Sequence, residues 1–443
     1  MKRNNTNQEL LSNNSSNNFT KATQTVAFSF YMNKENENEK RSRVRLHPNL
    51  VKACIEGLRQ IYTDGKHADS VVNNLLKSNP KWGSSDRKFI AETIYDIVRW
   101  WRKLWFVVGE EPNLTNAGLW KLCGVYLVNK GMYLPAWEEF ENINLNAVHD
   151  RLDKAEGIRV IRESIPDWLD SIAEEELGDV WETEIAELNK QADFVIRANT
   201  IKVNRNSLQK ALRDEETETA VIPNHPDALV VSERKRIFTT HCFQDGWFEV
   251  QDASSQEVAY FMDLTPGMRV VDACAGGGGK SLHMAALMQN KGRIISLDIF
   301  EWKLKELSRR AKRAGVSIIE TRIIESSKTI KRLAEQADRV LIDAPCSGLG
   351  ILKRNPDIKW KLSPESIDNI RKEQAKILSD YCVMTKKGGK LIYATCSILP
   401  SENEKIVDKF LSEHPNFKKV KEKKILPSES GFDGFYMAMM ERE

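Results

Sequence analysis

Two short stretches of the chain carry groups able to do covalent chemistry. The first is Asp343-Ala344-Pro345-Cys346-Ser347-Gly348, entered from the apolar run Val340-Leu341-Ile342. Apolar residues running into an acid, then Pro, Cys and Gly, read as a buried strand opening into a tight loop. The second is Thr395-Cys396-Ser397, at the end of the strand-like run Gly389 to Ala394. It is followed by Pro400 and by Ser401-Glu402-Asn403-Glu404, which reads as the acidic start of a helix. In an open α/β sheet, ligands lie outside the carboxyl ends of the strands. An ionised thiol there is a nucleophile, and a neighbouring acid can polarise the group it attacks. Buried free cysteines are common packing residues, and Cys274 and Cys382 are read that way. Two cysteines at strand ends beside an aspartate suggest covalent catalysis instead. Taken alone, the first loop offers Cys346 as nucleophile and Asp343 as its acid.

A third stretch binds something. Val270-Val271-Asp272-Ala273-Cys274 leads into Ala275-Gly276-Gly277-Gly278-Gly279-Lys280-Ser281 and then a helix. Glycines after a strand let a ligand approach the backbone, and the helix start offers free N–H groups. A dinucleotide fingerprint fails, because its third glycine position is Ser281 or Leu282. A P-loop is the serious rival: Gly279-Lys280-Ser281 fits its end, Cys274 occupies its first glycine position, and Asp343 could pass for the metal-binding acid. S-adenosylmethionine fits better. It has no phosphate, Asp272 ends the first strand, and Asp298 ends the second, where an acid reaches ribose hydroxyls. Lys280 reads equally as a group positioning cofactor or Asp343 and as a solvated lysine at a helix start.

The elements that must position these groups follow from pattern. At 443 residues the chain is long enough for two or three domains. With 41% hydrophobic and 29% charged residues, it has an ordinary globular composition, and its net charge of +3 does not by itself announce nucleic acid. Basic runs at Trp302 to Arg313, Lys418 to Lys424, and Lys353-Arg354 with Lys359 and Lys361 read either as solvated faces or, flanking one loop, as phosphate contacts. The seven cysteines include no C-x-x-C pair, which argues for reduced thiols in a cytoplasmic setting and against zinc. No apolar run is long enough for a membrane span, and Val26 to Met32 is too short for a signal peptide. Residues 1–40 are Asn, Ser and Thr rich and are expected to be disordered, with Met32 a possible true start. Residues 41–150 are patterned as helices. Within them, Arg87 to Trp105 is expected to form one helix, burying Phe89, Ile90, Ile94, Ile97, Val98 and Trp101, with a basic remainder read as solvated in preference to a dedicated RNA face. Residues 160–245 are expected to form a small α/β element, with strands at Phe194 to Val203, Ala228 to Val231 and Arg236 to Thr239. From residue 246 to 443, strands alternate with helices, so a mostly parallel sheet covered on both faces is expected.

The motifs resemble the RNA cytosine-5 methyltransferases of the RsmB/Nop/Sun family. The resemblance rests on Gln251-Asp252-Ala253-Ser254-Ser255, Asp272-Ala273-Cys274 with Gly278-Gly279-Lys280, Asp343 to Gly348, Asn355-Pro356-Asp357-Ile358-Lys359-Trp360, Thr395-Cys396-Ser397 and Asp433-Gly434-Phe435-Tyr436. It covers about residue 165 to the end. Arg197-x-Asn199 resembles the family's R-x-N element, and the helical part, with Asp86-Arg87 and Ile97-Val98-Arg99, resembles the NusB-like domain of the bacterial RsmB type. The resemblance implies an S-adenosylmethionine-dependent methyltransferase with a Rossmann-like sheet, preceded by a small α/β RNA-binding subdomain and an all-α NusB-like domain. It implies that Cys396 adds to carbon 6 of cytosine, that Cys346 aids product release, and that Asp343 binds the base. Cys274, Ala275, Gly276, Gly277, Gly278, Gly279, Lys280, Asp298 and Asp343 would bind the cofactor. The expected partner is single-stranded or loop RNA, ribosomal in preference to transfer RNA, with no metal or membrane, and the chain is expected to act as a monomer. Two departures stand out. Gly276-Gly277 replace the family's Ala-Pro, and Glu325 stands near the place of the aspartate that holds adenine. A DNA cytosine-5 methyltransferase would use Pro345-Cys346 itself but wants Gln where Ser347 stands. A non-catalytic RNA-binding factor is the remaining alternative.

Overall fold

The computed structural model describes residues 46–232 and 237–443. The expected disordered tail and the Met32 start lie outside the described residues. The chain divides into two compact units, one made of the segments up to Lys66, Ser70–Ile97 and Val107–Arg151, the other of His67–Asp69, Val98–Phe106 and Leu152–Glu443.

The first unit is helical. Its elements are α1 (Pro48–Tyr62), most of α2 (Ala68–Ser78) and α3 (Ser84–Arg99), α5 (Asn116–Asn129) and the start of α6 (Leu145–Glu156), while the end of α3 and most of α4 (Trp101–Val108) belong to the second unit. Pro48 starts α1 where its missing N–H costs nothing, and Leu50, Val51, Cys54, Ile55, Leu58 and Ile61 form its buried face. Thr115 caps α5 by accepting a bond from the Gly118 N–H.

The single helix expected over residues 87–105 is two, broken at Trp100. The break is stabilised locally, because the Ser164 hydroxyl accepts the N–H groups of Arg102 and Lys103 that the new helix start leaves free. Apart from the exposed Lys88, the basic residues of this stretch are spent within the fold. Arg99 is buried and donates to the Leu352 and Lys353 carbonyls, and Arg102 donates to Asp167 and the Ile165 carbonyl.

In the second unit, helices α7 (Asp167–Leu177) and α8 (Trp181–Leu188) precede a small sheet of β1 (Val195–Ala198), β2 (Thr219–Val221), β3 (Ala228–Val231) and β4 (Phe248–Val250). The strand order is β2-β3-β1-β4, all antiparallel, with α9 (Arg205–Asp214) over one face. The strand expected at Arg236 to Thr239 is not one. Arg236 lies outside the described residues, and Ile237–Thr239 form a tight 3-10 turn. Ile237 is buried in the subdomain core, and Thr240 closes the turn by donating to the Ile237 carbonyl.

The larger sheet contains β5 (Arg269–Asp272), β6 (Arg293–Asp298), β7 (Ile319–Ile323), β8 (Ala337–Asp343), β9 (Thr385–Thr395), β10 (Phe417–Ile425) and β11 (Phe435–Arg442) in the order β10-β11-β9-β8-β5-β6-β7. Strands β5 to β9 run parallel, and β11 and β10 are added antiparallel. Helices α10 (Ala253–Phe261), α11 (Gly279–Leu287), α12 (Glu301–Ala314), α13 (Pro364–Tyr381) and α14 (Glu404–Glu413) accompany it. Two apolar clusters cover its faces, one centred on Val271, Val340, Ile342 and Tyr393, the other on Val270, Leu341, Ile392 and Met437. The lysine run at 418–424 is therefore the edge strand β10. Its charges discourage further strand pairing and meet acids such as Glu443, Asp263 and Glu404.

Candidate active site

The parallel order brings three loops to one edge of the sheet. Strand β5 pairs with β8 and β8 with β9, so the glycine loop, the Asp343–Gly348 loop and Thr395-Cys396-Ser397 leave neighbouring strands at their carboxyl ends.

The two cysteines converge. The Sγ atoms of Cys346 and Cys396 lie 3.2 Å apart, close enough for an S–H···S hydrogen bond, and both side chains are partly exposed. The Cys346 thiol is pushed well above its ordinary acidity range by its bond to Cys396, by burial, and by the charges of Cys396 and Glu402. The backbones approach as closely as the sulfurs. The Gly350 N–H donates to the Cys396 carbonyl at 2.9 Å, and a Cβ at Gly350 would lie 2.4 Å from the Gly434 carbonyl oxygen. Only glycine fits there.

Asp343 ends β8 and receives the Lys280 Nζ at 2.7 Å; the same ammonium lies 5.1 Å from the Phe435 ring centroid. Burial alone would pull the Lys280 pKa down, but Asp343 and Cys396 outweigh it and raise it, so the ammonium stays charged. Of the two readings open for Lys280, the geometry supports the one in which it positions Asp343.

The glycine loop is fastened from several sides. The Asp298 carboxylate accepts the N–H groups of Gly276 and Phe300 at 2.9 and 2.8 Å. Arg310 donates to the Gly277 carbonyl at 2.6 Å, and Arg197 to that of Gly279 at 2.9 Å. Both arginines are themselves held, Arg310 by Glu249 and Arg197 by Gln251. The four glycines are not equivalent. Gly276 has φ +54° and open space where a Cβ would stand, whereas a Cβ at Gly278 would meet Leu307 at 2.4 Å. Gly278 is thus needed for packing on α12, while Gly276 leaves room. Cys274 and Ala275 line the loop's start, and the Ala275 N–H donates to the Leu297 carbonyl. Glu325 is exposed, one residue past Ile324, whose N–H binds the Asp298 carbonyl.

The other motif residues are scaffolding. Asn199 donates to the Gly246 and Ala314 carbonyls, tying the small sheet to α12. Arg354 bridges Asp252 and Asp433, Lys353 meets Glu187, and Lys359 is fully buried against Asn189. In α12, Arg310 and Arg313 share Glu249. These residues are held by internal partners, which corrects the phosphate-contact reading for them.

Sequence reasoning missed the groups that hold the cysteine loops. Glu402 and Asn403 are fully buried. Glu402 accepts four bonds, from the Ser347 N–H (2.8 Å), the Ser347 hydroxyl (2.5 Å), the Ser397 hydroxyl (2.6 Å) and the Gln374 amide (3.0 Å). Asn403 accepts from the Thr395 hydroxyl and donates to the Ser397 carbonyl. In the sequence nothing separates Glu402 from Glu404; burial alone does.

The fold and site define a methyltransferase class: a mostly parallel sheet with a glycine loop after its first strand, acids at the ends of the next strands, and a ferredoxin-like subdomain ahead. Residues 259–441 match the family model described as 16S rRNA methyltransferase RsmB/F, and residues 165–237 match its ferredoxin-like domain. A probable ribosomal RNA small subunit methyltransferase B from Synechocystis is 30% identical over 82% of this chain and 88% of its own length. The ribosomal RNA small subunit methyltransferase B of Proteus mirabilis is 31% identical over 89% and 99%. The crystal structure of PH0851 superposes with a TM-score of 0.77 at 25% identity, covering 90% of this chain and all of that one. The chain belongs to the RsmB/F family of 16S rRNA methyltransferases. Its methyl donor is S-adenosylmethionine.

Proposed function

We propose that this chain methylates carbon 5 of a cytosine in small-subunit ribosomal RNA through a covalent adduct with Cys396. The observation that carries the reading is the pair of strand-end thiols 3.2 Å apart, beside an aspartate held by a buried lysine. The relatives' names supply the RNA, and the helical first unit, with the small sheet, is assigned to binding it.

The residues present fit S-adenosylmethionine. Asp272 Oδ1 is buried without a hydrogen-bond partner, open space stands over Gly276 and Gly279, and carboxylates end both β5 and β6. Such a site suits a ligand with a cationic amino-acid end and a ribose diol, and repels phosphates. The loop from Cys274 to Lys280 would wrap the methionine end, Asp298 would take the ribose, Glu325 the adenine, and Asp343 would border both cofactor and base. When bound, the cofactor supplies an electrophilic methyl group.

The protein's part is to make carbon 5 of cytosine nucleophilic. The Cys396 thiolate adds to carbon 6, moving electron density onto carbon 5. Asp343, oriented by Lys280, accepts from the exocyclic amine and delivers a proton to ring nitrogen 3, which offsets the negative charge that thiolate addition places there. Once the methyl is in place, a water takes the carbon 5 proton, the double bond re-forms, the carbon 6–sulfur bond breaks with its electron pair going to the Cys396 thiolate, and ring nitrogen 3 returns its proton to Asp343; the Cys346 S–H stabilises the departing thiolate by hydrogen bonding. The target base must be unstacked to reach both sulfurs, which favours single-stranded RNA. The test is to map 5-methylcytosine in small-subunit ribosomal RNA with and without the gene. One position should lose its mark on deletion, and wild-type protein, but not Cys396→Ala, should restore it; an unchanged map would overturn the reading.

A further inference from the structure

Two thiols in contact could exchange duties, yet the reaction above needs one to be the thiolate and the other to keep its proton. The surroundings of the pair are asymmetric. Glu402 binds the residues that directly follow both cysteines, Ser347 and Ser397, and its hold on Ser347 is double, through hydroxyl and backbone N–H. Gln374 completes the clamp by donating both to Glu402 and to the Pro345 carbonyl, one residue before Cys346. The carboxylate is fully buried, so its field is little screened. Cys346 feels the charge of Glu402, whereas Cys396 interacts with that of Lys280.

We propose that Glu402 is a positioning residue that sets the distance between the two sulfurs and keeps Cys346 the thiol and Cys396 the nucleophile. The inference rests on the covalent reading for its purpose, though the asymmetry of the two thiols is measurable without any RNA. A glutamine at 402 keeps the size and the clamp, its carbonyl oxygen accepting from the Ser347 N–H and the Gln374 amide and its NH₂ donating to the two serine hydroxyls, so what it removes is the charge.

The test uses the full-length protein without RNA. Wild type and Glu402→Gln are treated with limiting iodoacetamide at neutral pH, and the label on each cysteine is counted by peptide mass spectrometry. S-adenosylhomocysteine calorimetry and thermal unfolding report whether each variant is folded. Wild type should label Cys396 in preference to Cys346, since the thiolate and not the thiol reacts. In Glu402→Gln the preference should collapse to within roughly threefold. Ser397→Ala, which removes one arm and leaves the carboxylate on Ser347 and Gln374, should move the ratio the same way by less, and it decides the matter if Glu402→Gln does not fold. An unchanged ratio in a folded variant overturns the proposal. Methyl transfer by Cys396→Ala would instead overturn the covalent reading and leave the labelling ratio to report on Glu402 alone.

Discussion

The glycine loop after β5 is held by separate groups, with arginines from the small sheet and from α12 on its carbonyl oxygens and Asp298 on one N–H, whereas the cysteine loops after β8 and β9 are both gathered on one buried carboxylate, with Gln374 and Asn403 beside it. The first arrangement fixes backbone and leaves the space over Gly276 open. The second fixes side chains and brings two sulfurs to 3.2 Å. The difference matches what the proposed function asks of each half. A ligand site tolerates small adjustments of backbone, but covalent chemistry loses large factors for displacements near 1 Å. Damage to the cysteine half should therefore appear in the chemical step, and damage to the glycine half in cofactor affinity.

The largest effects belong to the cysteine half. Cys396→Ala should abolish methyl transfer, while Cys346→Ala should accumulate an RNA–protein adduct, visible as a shifted band on a denaturing gel. Both variants should bind S-adenosylhomocysteine as wild type does. If both turn over normally, the two halves are not divided as argued. Asp343→Asn keeps the shape but loses the charge paired with Lys280. Single-turnover transfer should fall roughly 10²–10³-fold, the usual loss when one preorganised electrostatic group is removed.

The same division governs what the sequence reveals. Residues at strand ends that are proposed to face ligands stand out, because an apolar run stops abruptly at Asp272, Asp298, Asp343 or Thr395. Residues that hold those ends do not. Glu402 sits in an acidic stretch that looks like any solvated helix start, and its burial comes from α13 and the two loops, 28 and 55 residues away along the chain. The basic runs misled for a related reason. Lys353, Arg354 and Lys359 look solvated until tertiary structure supplies Glu187, Asp252, Asp433 and Asn189. Strand β10 was hidden because an edge strand guarded by lysines lacks the apolar alternation that marks a strand. The parallel core strands were legible because burial on both faces makes them continuously apolar.

A smaller effect tests the glycine half. Removing the Arg310 guanidinium frees the Gly277 carbonyl in a loop whose family members have Ala-Pro at 276 and 277. Arg310→Ala should weaken S-adenosylhomocysteine binding about tenfold by calorimetry, the scale of one charge-assisted hydrogen bond, with little change in single-turnover rate at saturating cofactor. Adding Gly277→Pro should recover roughly two- to fivefold by stiffening the loop. In that background the ring no longer meets the Arg310 Nη1, which otherwise lies 3.3 Å from where a Cβ would stand. A fall in the chemical step with unchanged affinity would break the comparison.

The least direct effect is on stability, at the joint that lets the small sheet support the glycine half. His283, on α11 just past the loop, is fully buried between Arg197, Asp227 and Tyr260. Burial and the charge of Arg197 lower its pKa to about 4, against the pull of Asp227. A histidine whose pKa is depressed on folding contributes stability that is complete above its unfolded pKa and is lost as pH falls toward the folded value. Wild type should accordingly lose stability between pH 6.5 and about 4 through this group, because the unfolded state takes up a proton that the folded histidine beside Arg197 refuses. The loss is on the order of 3 kcal/mol over the full interval. His283→Gln should lower stability at pH 7 yet flatten this part of the curve, measured as urea midpoints at pH 4.5, 5.5 and 7. Parallel curves for the two proteins would mean that the joint is not held by the charge of Arg197, and the support of the glycine loop would have to come from packing on α12 instead.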